Sequence, residues 1–372
     1  MKLNTLQENL GKAISTASRF TTSKAQLPIL GNILLSANKT KLTVSSTNLE
    51  ISISTSIGAK IEEEGQISIP GKVIVEIVNN LPKGQVEIET DKEQVKLKSQ
   101  SFNSKVLGMD GTDFPKIPNS LNNDRVIKLD TKLFSEALSK TIFATSTDET
   151  RPVLTGILLV FGKNNLQVVA TDGFRLSRFL IHSENLTENK VVIPKTVLSE
   201  VLRIGEGGQD LQFEVSEKEK QVLFEISDTV ISSRLIEGDY PDYEKIIPKK
   251  GLVEVLVDKE ELLRAVKLAS VFARSAGNVI KIKVEQDKIK ITAESSEAGS
   301  QEAEVDAKIG GDPELVEGLN VAFNYKFVED FLHSASGEEI KMEITDSQKA
   351  ALFTDTSDNN YLHLIMPVRV QS

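Results

Sequence analysis

Leu6-Gln7-Glu8-Asn9-Leu10-Gly11-Lys12-Ala13-Ile14-Ser15-Thr16-Ala17 decides the fold, because its pattern comes back twice more along the chain. Leu6, Leu10, Ala13, Ile14 and Ala17 fall at the i, i+3, i+4, i+7 spacing that lines one helix face with apolar side chains. Phe134, Ala137, Leu138 and Ile142 carry a similar stripe, and Leu262, Ala265, Val266 and Ala269 carry it again. The step from Leu6 to Phe134 is 128 residues, and so is the step from Phe134 to Leu262. Such a period predicts three copies of one structural unit. Asp130 and Asp258 stand a few residues ahead of the second and third helices, where a carboxylate can cap a first turn.

Outward from these stripes each unit carries a shorter second helix, on Ile74-Ile77-Val78-Leu81, Val197-Leu198-Val201-Leu202 and Val328-Phe331-Leu332-Ala335. In the first two units Ile67-Ser68-Ile69-Pro70 and Val191-Val192-Ile193-Pro194 feed a strand into that helix, with proline expected in its first turn. In the third, Asn324 is the expected cap. Between the helices the sequence alternates with period two. Lys41–Val44, Leu49–Ile53, Val86–Glu89, Lys281–Val284 and Ile289–Thr292 read as antiparallel strands with one face buried. Asp113-Phe114-Pro115 and Asp239-Tyr240-Pro241 close the first two units alike. With linkers near 119–125 and 247–252, the expected domains are 1–120, 126–248 and 252–372. The fold class is α+β, each domain packing two helices on antiparallel sheet. Three unrelated domains in tandem would satisfy the same pattern. Near-identical units on short linkers instead make an arc, and two arcs joined head to tail close into a six-unit ring.

Composition bounds the function. The 372 residues are 39% hydrophobic, ordinary for domains with real cores, and no apolar stretch approaches membrane-helix length. The N-terminus Met1-Lys2-Leu3-Asn4-Thr5 has no secretory apolar run, and there are no cysteines, so disulfides and thiolate metal sites are excluded and a cytoplasmic location is expected. His182, His333 and His363 are far apart in sequence and form no metal-binding motif, so no cofactor or metal is expected. Gly11-Lys12 lacks the rest of a phosphate-binding loop, and Gly205-Glu206-Gly207-Gly208 reads as a plain loop between helix and strand. Glu260 and Glu261 are adjacent on a helix and face different ways. No enzymatic arrangement stands out. A hydrolase built on carboxylates converging in space would need turnover abolished by one carboxylate change.

Four short motifs, in order along the threefold repeat, carry a resemblance. They are Leu27-Pro28-Ile29-Leu30-Gly31-Asn32, Val169-Ala170-Thr171-Asp172-Gly173-Phe174-Arg175-Leu176, Asp239-Tyr240-Pro241-Asp242-Tyr243 and Ile365-Met366-Pro367-Val368-Arg369-Val370. In these the chain resembles the β subunit of bacterial DNA polymerase III, the sliding clamp, over its whole length. The resemblance implies a homodimeric ring, helices lining its hole, that encircles duplex DNA without chemistry and without reading sequence. It also implies one pocket per subunit for a short peptide with leucine and phenylalanine anchors. Polymerases including the DNA polymerase III alpha subunit, the clamp loader, mismatch-repair proteins and ligase would dock there. The net charge of −10 then ceases to argue against DNA, because a closed ring is held by topology and needs few phosphate contacts.

Residue by residue, the resemblance places the pocket at Leu154, Thr171, Gly173, Phe174, Arg175, Leu176, Pro241, Lys245, Ile246, Asn324, Phe327, Met366, Pro367, Val368 and Arg369. The residue types suit peptide capture. Leu154, Leu176, Pro241, Ile246, Val368 and Met366 can wall an apolar slot, with Met366 able to repack, while Arg175 and Arg369 can hold a peptide carbonyl or an acidic flank. Thr171-Asp172-Gly173 also reads simply as a hairpin turn. The chain departs from the family where Phe174 replaces histidine, Lys245 arginine and Phe327 tyrosine. A phenylalanine of some members falls near Gly277, and Gln371-Ser372 extend past the usual end.

Basic residues recur on all six expected inner helices, Lys326 on the last of them; Lys12, Lys72, Lys140, Lys195, Arg203, Arg264 and Lys267 are the DNA candidates, together with Lys24 by family position. Acidic neighbours such as Glu8 and Glu136 share those helices, so each is equally readable as a solvated charge. Family position also sets Ser104 and Val106 of one subunit against Val271 and Phe272 of the other at the dimer interface. The competing reading from another class is a repeat-built peptide-binding adaptor that never encircles DNA. Retention on circular but not linearised DNA separates the two.

Overall fold

The computed structural model describes residues 1–22, 27–122, 126–183, 186–205, 210–248 and 251–369. Among them seven α-helices occur: α1 (Gln7–Ala17), α2 (Gly71–Asn80), α3 (Thr131–Ser139), α4 (Lys195–Gly205), α5 (Lys259–Ala273), α6 (Pro313–Glu317) and α7 (Tyr325–Ser334). All except the five-residue α6 sit where the three-repeat reading puts helices. Packing divides the chain into two compact units, residues 1–132 with 203–235 and residues 133–202 with 236–372.

In the first unit, α1 buries Leu10, Ala13, Ile14 and Ala17. Leu6 is 52% exposed, because it ends the strand Lys2–Leu6 and stands at the helix cap, so the buried stripe starts a turn later than the spacing suggests. α1 packs on α2, and the Gln7 side-chain amide donates to the Val78 carbonyl at 2.8 Å. A five-stranded antiparallel sheet runs in the order Lys60–Glu63, Lys2–Leu6, Gln85–Asp91, Gln94–Ser99, Phe102–Leu107. A second sheet of nine strands combines first-repeat and second-repeat strands. The join is Ile51–Gly58 against Thr229–Arg234, in register from Thr55↔Thr229 to Ile51↔Ser233. Hydroxyl pairs tie it, Ser52 with Ser232 at 2.6 Å and Thr55 with Thr229 at 3.2 Å.

The second unit holds a twelve-stranded sheet with an equivalent join, Arg175–His182 against Tyr361–Ile365, from Arg175↔Ile365 to Phe179↔Tyr361. α7 is pinned to this sheet by Phe331, whose ring lies 5.6 Å from those of Phe353 and Tyr361. The caps follow the chemistry expected of them: the Asp258 carboxylate accepts from Glu261 N at 2.9 Å, and Asn324 Oδ1 accepts from Lys326 N at 3.0 Å.

Two local expectations give way. α3 ends at Ser139 and Ile142 lies in a separate 3-10 turn, Ile142–Ala144, so the second stripe is broken after Leu138. Pro70 and Pro194 are the last residues of the strands Gly65–Pro70 and Asn189–Pro194, each just before its helix. There they face Asn32 and Gly156 across the ladder and end the strand without occupying the first helical turn.

Candidate functional site

The site in the second unit is built on the turn between the strands Asn165–Thr171 and Arg175–His182. Thr171 Oγ1 accepts from Gly173 N at 3.1 Å and donates to the Arg175 carbonyl at 2.5 Å. Asp172 Oδ1 accepts from Phe174 N at 2.9 Å and Arg175 N at 3.0 Å. The turn holds Gly173 at φ +91°, in the left-handed region that glycine enters without strain, and a Cβ there would come within 3.1 Å of Arg151 Nη1. The first repeat makes the same turn with Thr47, Asn48, Leu49, Glu50 and Ile51, bond for bond, but sets Leu49 at φ +77°. The backbone device is therefore common to the repeats, and the side chains around Phe174 and Arg175 distinguish the second copy.

Phe174 is pushed outward, 59% exposed, while its carbonyl accepts from Met366 N at 2.8 Å. That bond draws Met366, itself 37% exposed, to the rim of the turn. Two facing apolar side chains thus stand at the surface where the motif reading sets peptide anchors. Leu154 and Leu176 are nearly fully buried and support the wall from beneath. Leu176 belongs to a core with Tyr243 and Leu364, which seats the 3-10 turn Tyr243–Ile246. From that turn Ile246 projects 49% exposed and Lys245 pairs at 2.7 Å with Asp242, next to exposed Pro241. Asn324 is used as the α7 cap, Val368 N bonds the Ala322 carbonyl at 2.8 Å, half-buried Pro367 lies between Met366 and Val368, and Arg369 is exposed.

Arg175, which the motif reading offers as a residue able to hold a peptide carbonyl or an acidic flank, is engaged by the fold itself. Its side chain is 10% exposed and each of its three guanidinium nitrogens has a partner. Nη1 bonds Asp330 Oδ2 at 2.5 Å, Nε bonds Asp172 Oδ2 at 3.1 Å, and Nη2 bonds the Phe143 carbonyl at 2.7 Å. The cation lies 4.5 Å from the ring centroid of Phe327 and 5.3 Å from that of Phe143. Arg175 thus ties strand, turn and α7 together and fixes Phe327, half-buried, beside the slot. Close by, His363 is completely buried, stacked on Phe331 and bonded through Nδ1 to Ser177 Oγ at 2.6 Å. Burial, reinforced by the Arg175 charge, pushes this imidazole well below its ordinary range and keeps it neutral. Motif reading missed Phe143, Asp330 and His363. Asp330 three residues after Phe327 on α7 was the one available hint.

The basic candidates separate into groups. Lys12, Lys72, Arg264 and Lys267 are exposed on helices. Arg203 is half-buried, donates to Thr16 Oγ1 at 3.3 Å, and with Lys12 lines a depression of about 320 Å³. Lys140 is corrected. It is 3% exposed, bonded to Glu136 at 2.7 Å and Asp358 at 2.6 Å, and set over the rings of Phe179 and Tyr361. Burial alone would lower its pKa, but the bonds to Asp358 and Glu136 outweigh that and raise it. A lysine committed to the core has no charge to offer DNA. Lys195 is half-buried, its pKa lowered by burial and by the Arg175 charge, with Asp330 opposing. That places it near Arg175 and Asp330, and no longer on a free basic face. Lys24, the 206–208 loop and Gln371-Ser372 lie outside the described residues.

The strand edges that stay unpaired among the described residues include the outer edge of Phe102–Leu107 and one side of residues 299–306 of Gly299–Gly311. Along the first, Phe102 and Leu107 are 53% and 73% exposed, whereas Ser104 is half-buried and Val106 is buried at 6%, turned into its own core. α5 packs on the strand bearing the second edge and exposes Leu268 and Val271, with Phe272 half-buried about 4.0 Å from where a Gly299 Cβ would sit.

Among the described residues no helix is long and apolar enough to cross a membrane, and no cluster of three His, Asp or Glu side chains could hold a metal ion. The families of the N-terminal, central and C-terminal domains of the DNA polymerase III beta subunit match residues 1–118, 128–242 and 244–369. The chain is 29% identical to a beta sliding clamp of Synechocystis sp., with 100% of both chains covered, and 31% identical to one from Staphylococcus aureus, with 93% of each covered. It is similar to the crystal structure of a DNA polymerase sliding clamp from Bacillus subtilis (28% identity, TM-score 0.93) and to that of a DNA polymerase III beta subunit from Thermotoga maritima (26%, 0.91), each covering 100% of both chains. Three matching domain families in their proper order, on a chain whose repeats make the same turns and strand joins, decide the matter: this chain belongs to the DNA polymerase III beta subunit family.

Proposed function

We propose that two copies of this chain close head to tail into a ring around duplex DNA, and that the slot beside Phe174 and Met366 holds peptide segments of the proteins the ring tethers. The chain is a processivity clamp of the replication machinery. The observation carrying the ring is the repeated strand join. Ile51–Gly58 takes Thr229–Arg234, and Arg175–His182 takes Tyr361–Ile365. The third pairing of this kind joins Phe102–Leu107 to residues 299–306, each open on one side. Unpaired edges recruit strands, and a heterologous contact between copies satisfies both at once. The apolar contacts across it are Phe102 and Leu107 against Leu268 and Val271.

On this reading the three domains are 1–120, 126–248 and 252–372. The working location is the cytoplasm, no reaction is catalysed, and the partners are polymerases, the clamp loader, mismatch-repair proteins and ligase. Exposed Lys12, Lys72, Arg264 and Lys267 supply weak phosphate contacts. Support comes from their position on helices, where a few screened charges guide DNA without gripping it. The test is retention of the loaded protein on nicked circular DNA through gel filtration. Release when the circle is cut is the expected result. Equal retention on circular and linear DNA would overturn the ring and favour a peptide-binding adaptor.

A further inference from the structure

Beside the slot lies a second depression, of about 430 Å³, lined by Val279, Lys281, Thr292, Glu294, Val368 and Arg369 among others. Its origin is in the sheet register. Thr292 faces Lys281, Lys281 faces Ala322 on the next strand, and Val368 N bonds the Ala322 carbonyl beyond. The four side chains form one row on one face. Ala322 is the small member, so a trough opens between Lys281 and Val368. Gly277, in the loop before it, sits at φ +70° with only Val279 Cγ2 near its would-be Cβ, so that position sends no side chain over the trough. Among the described residues neither Lys281 nor Arg369 has an ion-pair partner. Glu294 is the one acidic side chain in the lining, which leaves the trough with one net positive charge.

We infer that this trough is an accessory subsite that takes an acidic residue flanking the apolar anchors of the bound peptide. The inference rests on the slot beside Met366 being the peptide site, since Val368 and Arg369 border both. A chain leaving that slot over Val368 enters the depression that Lys281 and Arg369 line. A carboxylate there meets two unpaired cations on a partly enclosed surface, whereas a neutral side chain gains nothing from them. The trough therefore ranks partners by the charge of their flank.

The test is fluorescence polarisation on the full chain with three labelled peptides sharing the leucine and phenylalanine anchors: one with neutral flanks, one with Asp-Glu before the anchors, and one with Asp-Glu after them. One acidic peptide is expected to bind roughly fivefold tighter than the neutral one at low salt, the scale of an exposed ion pair, with the gain fading as salt rises. Lys281→Glu should abolish the gain, Lys281→Gln should reduce it, and both should bind the neutral peptide as the unaltered chain does. No acidic preference, or one that survives Lys281→Glu, overturns the subsite while leaving the peptide site standing. Failure of all three peptides to bind overturns the peptide site itself and the subsite with it.

Discussion

Replacing Arg175 by methionine separates a side chain that holds the site from one that touches the peptide. Methionine keeps much of the apolar stem and removes the cation. Hydrogen bonds to charged groups are each worth about 1.5–3 kcal/mol net. The Asp330 side chain is 42% exposed, so its share falls toward the ~1 kcal/mol or less of an exposed pair. The Asp172 side chain is 16% exposed, and the Phe143 carbonyl loses its 2.7 Å donor, so these bonds keep more of their worth. The ring contacts with Phe327 and Phe143 add about 0.5–2 kcal/mol. Because these interactions share one group they do not add, and a total of about 2–4 kcal/mol is expected. For a unit of this size that lowers Tm by roughly 5–15 °C. Peptide affinity should fall with it, equally for acidic and neutral flanks, because Phe327 loses its stacking partner. Differential scanning calorimetry with polarisation titrations reads both quantities. An unchanged Tm with lost affinity would refute the argument and make Arg175 a direct peptide contact.

Other outcomes follow from the same geometry. Lys140→Met should destabilise by about 3–5 kcal/mol, since Asp358 is left partly buried without its cation, yet leave DNA retention of the folded protein unchanged. Arg264→Glu with Lys267→Glu should do the reverse, weakening retention with Tm nearly constant, as plasmid gel filtration and calorimetry would show. His363 sets an acid limit. Its folded-state pKa is lowered, so the unfolded chain takes up a proton below about pH 6.5 that the folded chain refuses. The stability is full above that pH and declines as pH falls, by up to ~1.4 kcal/mol per unit. Ser177→Ala with His363→Phe should flatten that slope in melts between pH 7.5 and 5.5, and an unaltered slope would exclude His363 as its source. Leu107→Glu or Val271→Glu should leave monomers in sedimentation velocity, and a persisting dimer would count against the proposed strand pairing.

Much of the fold is legible in the sequence alone. Hydrophobic period located the six principal helices, because a 3.6-residue stripe must be buried whatever lies opposite it. Asp258 and Asn324 announced their caps because capping is local: the acceptor and the N–H it serves are two or three residues apart. Thr171-Asp172-Gly173 announced its turn for the same reason. Tertiary structure decided the charges and the edges. Lys140 and Lys267 look alike as lysines on amphipathic helices, but one meets Asp358, 218 residues away, and the other stays in water. Arg175 carried a motif's promise of a ligand, and three-dimensional neighbours from positions 143, 327 and 330 converted it into a clamp. Sequence periodicity reports which face is buried, since that depends on the chain's own geometry. It is silent on which distant group will meet a charge, since that depends on where other strands and helices come to rest.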